Sequence, residues 1–173
     1  SCVHVQRAQH DLQNRCDLQE VLLADQLSTV FQPVVDLRTR RVLGYEALSR
    51  GPAGSVYQMP LRLFEMAAEA DLVFELDRKC RRRALASAVG LAAPAKLFVN
   101  VFPSAMYDPE FQGAALVRLA GDHGFTPDRV VLEITETAIL ARSLESVETL
   151  QGLRAAGVRL CLDDAGAGYA ALS

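Results

Sequence analysis

At 173 residues, with 50% hydrophobic and 23% charged side chains, the chain holds enough apolar material for one packed domain, which excludes disordered and collagen-like classes. Its formal charge of −3 offers no basic footprint for DNA, and no uninterrupted apolar run is long enough to span a bilayer. The 4 cysteines and 3 histidines are too scattered for a disulfide framework or a zinc site, and fit reduced thiols in a cytoplasmic protein.

The chain starts at Ser1 without a signal-peptide pattern, so it is expected to be a piece of a longer protein. From Leu12 to Val30 the apolar positions Leu12, Cys16, Leu23, Leu27 and Val30 recur at helical spacing, interrupted for one turn by Gln19 and Glu20. This helix is expected to pack against the domain, with a linker from an upstream module as the other reading. Residues 1–28 are assigned to it and 29–173 to the domain proper. Thr29 to Leu37 and Val42 to Ser49 read as strands joined only by Arg38-Thr39-Arg40-Arg41, a connection so short that they must be antiparallel.

Beyond this hairpin the rhythm changes. Pro60 to Ala70 and Glu75 to Val89 are helical patterns, Lys96 to Phe102 is a strand, and Pro109 to His123 is a helix. Val130 to Ile134 is a strand, Ser143 to Ala156 a helix, and Val158 to Asp163 a strand. Strands alternating with helices predict right-handed crossovers and a mainly parallel sheet. The basic run Lys79-Cys80-Arg81-Arg82-Arg83 falls on the second helical pattern and is expected to be a solvated face.

Polar groups interrupt each of these apolar strands near its carboxyl end: Glu46, Asn100, Glu133, and the pair Asp163 and Asp164. Asn100, Glu133 and Asp163 follow one another at roughly 30 residues, the length of one βα unit. In a parallel βα array those ends share one face, so five oxygen ligands converge there. Acids clustered without a cation repel one another in a low-dielectric mouth, and an all-oxygen set suits hard Mg²⁺ or Mn²⁺. Adjacent aspartates allow one carboxylate to bridge two ions, an arrangement used in phosphoryl transfer. Arg50 is placed either to neutralise a substrate phosphate or to form a surface ion pair.

Tyr45-Glu46-Ala47-Leu48-Ser49-Arg50 resembles the signature of the EAL family of cyclic di-GMP phosphodiesterases. Phe31-Gln32-Pro33-Val34-Val35-Asp36, Glu75-Leu76-Asp77, Val99-Asn100-Val101, Leu132-Glu133-Ile134-Thr135-Glu136 and Asp163-Asp164-Ala165-Gly166-Ala167-Gly168-Tyr169 resemble the family's other blocks in the same order. The resemblance runs from about Leu18 onward and covers roughly the first two thirds of such a domain. It implies a TIM-like barrel with an antiparallel first strand, incomplete in this chain, and hydrolysis of cyclic di-GMP to linear pGpG. By the same resemblance Glu46, Asn100, Glu133 and Asp163 hold one metal, and Asp163 and Asp164 serve a second. Glu46, Asp163, Asp164 and Glu136 form the catalytic set, with Glu136 steadying the loop after the paired aspartates. Gln32, Leu48 and Arg50 match substrate-binding positions.

Two departures leave a second reading open. Ala165 and Ala167 stand where the family usually has Phe and Thr, and the family's catalytic lysine and a later metal-binding glutamate have no counterpart here. The alternative is a non-catalytic EAL module that acts as a cyclic di-GMP receptor or as a protein-interaction scaffold. A sheet left open at the last strand is expected to favour a homodimer or a swapped assembly, and an upstream sensory domain is an expected neighbour. The stretch Gly166-Ala167-Gly168-Tyr169-Ala170-Ala171 also fits a dinucleotide fingerprint, but two carboxylates directly before the turn would repel a pyrophosphate.

Overall fold

The computed structural model describes residues 2–135 and 144–163, with side chains described for 13–134 and 144–162. The first element, α1 (Cys2–Leu23), ends earlier than the apolar spacing predicts. Asp25 takes a left-handed φ of 53°, which lets the Gln26 N–H reach back to the Val21 carbonyl at 3.1 Å and closes the helix. The chain then turns, buries Leu27, and hands Val30 to a strand. Leu18, Val21 and Leu22 pack with Leu27 against residues of the next two helices, so the carboxyl end of α1 takes part in the domain's packing.

The hairpin is antiparallel as expected: β1 (Ser28–Asp36) pairs with β2 (Arg41–Arg50), with Gln32 opposite Glu46. Its turn is held by Asp36, whose carboxylate accepts the N–H groups of Arg38 and Thr39 at 2.9 Å each. Next come α2 (Pro60–Glu69), opened by a proline, and α3 (Val73–Ser87). Asp71, at φ 58°, ends α2 by the same device as Asp25 ends α1.

After β3 (Lys96–Val101) the predicted single helix from Pro109 divides. Two short 3₁₀ turns, Pro103–Tyr107 and Pro109–Phe111, precede α4 (Gly113–Asp122), because Gln112 is extended at ψ 147°. Then follow β4 (Val130–Thr135), α5 (Leu144–Ala155) and β5 (Arg159–Asp163). The sheet order is β1-β2-β3-β4-β5, with every pair after the hairpin parallel.

The strand period of two assigns the faces. Ala47, Leu97, Val99, Val101, Val130, Leu132 and Ile134 point to one side and form a core with residues of α3, α4 and α5. There α4 and α5 approach so closely that a Cβ at Gly113 would lie 2.7 Å from the Gly152 carbonyl oxygen, which only glycine permits. No helix among the described residues is long and apolar enough to cross a membrane.

The basic run on α3 is not the solvated face expected of it. Lys79 donates to the Leu22 carbonyl and Arg83 to that of Asp25, both at the end of α1. Arg82 pairs with Glu110, and Arg81 is buried. Partners distant in sequence turned a run of cations into tertiary fasteners.

Candidate metal and substrate site

Parity along the strands brings the predicted oxygens to the sheet face opposite the core. Gln32 pairs with Glu46, Glu46 with Phe98, and Asn100 with Glu133, while Leu48 and Arg50 follow Glu46 at the two-residue period. Phe98 and Val131, two residues before Asn100 and Glu133, are buried and give that polar layer an apolar floor. The Asn100 carboxamide donates from Nδ2 to Glu46 Oε1 at 2.9 Å, joining the carboxyl end of β3 to the middle of β2, which continues to Arg50. Glu133 is half-buried, with Oε2 shielded from solvent.

The remaining candidates divide. Gln32 is exposed on the edge strand, and Leu48 is half-buried. Arg50 donates to the Ser49 carbonyl at 2.9 Å and forms no ion pair among the described residues, so the surface-pair alternative is not realised there. Asp163 is paired through its backbone with Thr135 in the β4–β5 register, but its side chain lies outside the described residues. Asp164, Glu136 and the loop with Ala165 and Ala167 also lie outside them.

A cleft of about 610 Å³ opens beside Glu46 and Asn100, bounded by Leu48, Phe64, Asp77 and Arg81 among others. Phe64 of α2 stacks on Phe102, just past β3, with centroids 4.1 Å apart and planes within 8°. Cys80 also lines this cleft, and burial pushes its thiol up to about 11 against a hydrogen bond with Ser49 that works the other way. It is a protonated packing residue at neutral pH, not a nucleophile.

Asp77 and Arg81 reach the cleft without having been singled out for a role from the sequence. Their i, i+4 spacing on a helix was the available signal, since that pairing brings an acid and a base together on one face. Behind them Asp108 is held below the ordinary carboxylate range. Burial pushes it up, but the hydrogen bonds from Arg78 and the Glu110 N–H, and the charges of Arg81 and Arg78, outweigh that.

The donor set suits a hard divalent cation: two glutamates and an amide oxygen, with neither thiol nor imidazole among them. Among the described residues no group of three His, Cys, Asp or Glu side chains converges to hold a metal. The described part of the site thus offers two carboxylates and one carboxamide, short of the five oxygens expected.

The family model for the EAL domain matches residues 15–173. Klebsiella pneumoniae BlrP1, solved as a manganese and cyclic di-GMP complex, superposes with a TM-score of 0.70 at 30% identity, over 83% of this chain and 36% of that one. An uncharacterized signaling protein of Caulobacter vibrioides is 32% identical over 162 residues, covering 91% of this chain and 19% of the relative. A probable cyclic di-GMP phosphodiesterase of Escherichia coli, PdeI, is 29% identical over 154 residues, 85% of this chain and 20% of that protein. The chain therefore spans about a fifth of the length of these curated relatives, and its sheet is part of a TIM-like barrel that is incomplete in this chain.

Proposed function

This chain belongs to the EAL domain family, and from that premise we propose that it carries the metal- and substrate-binding part of a site that hydrolyses cyclic di-GMP to linear pGpG. The observation that supports it best is the shared strand face of Gln32, Glu46, Asn100 and Glu133, with Asn100 and Glu46 tied at 2.9 Å.

In this proposal Glu46, Asn100 and Glu133, with Asp163, would hold one divalent cation, and Asp163 with Asp164 a second. Such cations supply Lewis-acid polarisation of a phosphoryl oxygen and a more acidic water. The chain's own residues do the rest. Asn100 would present its carboxamide oxygen to that cation, while its Nδ2 donates to Glu46 and holds it in place. The apolar floor of Phe98 and Val131 lowers the local dielectric, so the carboxylates act on charge more strongly than they would in water. Arg50 would receive a phosphate through its planar guanidinium, with Gln32 and Leu48 beside it. In the reaction a water oxygen bonds to phosphorus, one P–O bond of the ring breaks, and the departing ribose oxygen takes a proton. Glu136 would steady the loop that follows the paired aspartates.

The test is incubation of the protein bearing this chain with cyclic di-GMP in Mn²⁺ and in chelator, followed by chromatography of the nucleotides. Metal-dependent appearance of pGpG is the expected result. Saturable binding of cyclic di-GMP without turnover would overturn the enzyme and favour the receptor reading.

A further inference from the structure

Three charged side chains with no part in the proposed chemistry lie behind the site: Asp77, Arg81 and Asp108, exposed by only 2%, 4% and 1%. A buried ion cluster is a poor source of stability, because desolvating the ions costs about as much as their attraction returns. Its geometry points elsewhere. Asp77 Oδ1 accepts the Phe102 N–H at 3.5 Å, two residues beyond Asn100, while Oδ2 accepts from Arg81. Arg81 continues to Asp108 Oδ2 at 2.5 Å. Asp108 also accepts the Glu110 N–H at 3.0 Å and two N–H groups of Arg78, at 2.7 and 3.0 Å. One helix, α3, thereby grips the segment after β3 at both of its ends.

We propose that Asp77 is a positioning residue for the strand-end site: with Arg81 and Asp108 it fixes the carboxyl end of β3, and so the Asn100 carboxamide against Glu46. Two acids face two arginines in this cluster, so it adds no net charge beside the cleft and works through geometry. Asn100 must hold one orientation for Nδ2 to meet Glu46 and its oxygen to stay turned toward a ligand. The backbone two residues away is where α3 restrains it. The functional consequence rests on the cation reading of Glu46, Asn100 and Glu133, whereas the positioning itself does not.

Both levels are tested in the full chain with two variants. In metal-free Asp77→Asn, protection of the Phe102 amide from hydrogen exchange falls and the Asn100 carboxamide resonances shift. With Mn²⁺ added, the half-saturating concentration rises about tenfold, as for other groups that orient a ligand. The double variant Asp77→Leu/Arg81→Met removes both members of one pair and leaves Asp108 to Arg78, so its melting temperature recovers part of what Asp77→Asn loses while the Phe102 and Asn100 signals remain altered. A purely structural role predicts instead that those signals recover together with the stability. Should Asp77→Asn fail to fold, the double variant decides alone. Unchanged Phe102 protection and Asn100 resonances in a folded variant overturn the inference. If the parent takes up no Mn²⁺, the cation reading falls, and the two metal-free signals still settle the role of Asp77.

Discussion

Two groups of acids lie within reach of one cleft, and the chain treats them in opposite ways. Asp77 and Asp108 are buried and met by Arg81 and Arg78, so their charge is answered inside the fold. Glu46, on β2, is met by the neutral carboxamide of Asn100. An acid whose countercharge is folded into the chain fastens architecture. An acid that, like Glu46, meets a neutral amide and no cationic side chain among the described residues is suited to a cation from solution.

The largest effect that tests this contrast comes from removing one member of the answered group. Asp108→Ala leaves buried Arg81 with Asp77 alone and takes from half-buried Arg78 the carboxylate it pairs with, and is expected to lower the unfolding free energy by about 3–5 kcal/mol in a denaturant titration. A loss below ~1 kcal/mol would mean that the network is not the fastener described.

The second effect falls on ligand binding rather than on stability. Glu46→Gln keeps the side-chain volume and the hydrogen bond from Asn100, so unfolding should stay within ~0.5 kcal/mol of the parent. Mn²⁺ affinity measured by calorimetry is expected to fall by at least about tenfold. Opposite behaviour of these two variants is the contrast in numerical form.

Acid titration sharpens it further. Asp108 and Glu110 both lie below their usual values of 3.8 and 4.5. For Asp108 the causes are those given above. For Glu110 the first is the hydrogen bond from Arg82, with burial working against it. A folded-state value lowered below the unfolded one gives stability that is present above the unfolded value and lost as pH falls through the folded one. Stability followed by circular dichroism should therefore hold near neutrality and decline gradually below about pH 4.5, and the decline should be smaller in Asp108→Asn. The smallest effect belongs to the exposed pair, since Arg82→Ala breaks the Glu110 contact where water screens it and should cost less than ~1 kcal/mol.

The hairpin, the parallel order and the shared face of the oxygens were legible in the sequence because each depends on local periodicity and connection length. Glu46, Asn100 and Glu133 stand out as polar breaks in apolar strands, and a period of two carries them to one side. The answered group was not legible in the same way. Arg81 reads as one more cation on a helix until Asp108, 27 residues on, is folded against it. The end of α1 escaped for a related reason: Leu27 and Val30 continue the helical spacing, and only the left-handed turn at Asp25 shows that the chain has changed direction.

The contrast between the two acid groups is tested most directly by titrating Mg²⁺ into the folded chain while following side-chain carboxyl and carboxamide resonances. Saturable shifts at Glu46, Asn100 and Glu133, with Asp108 and Glu110 unmoved, are the predicted result. No saturable shift at the strand ends, or shifts confined to Asp108 and Glu110, would contradict it.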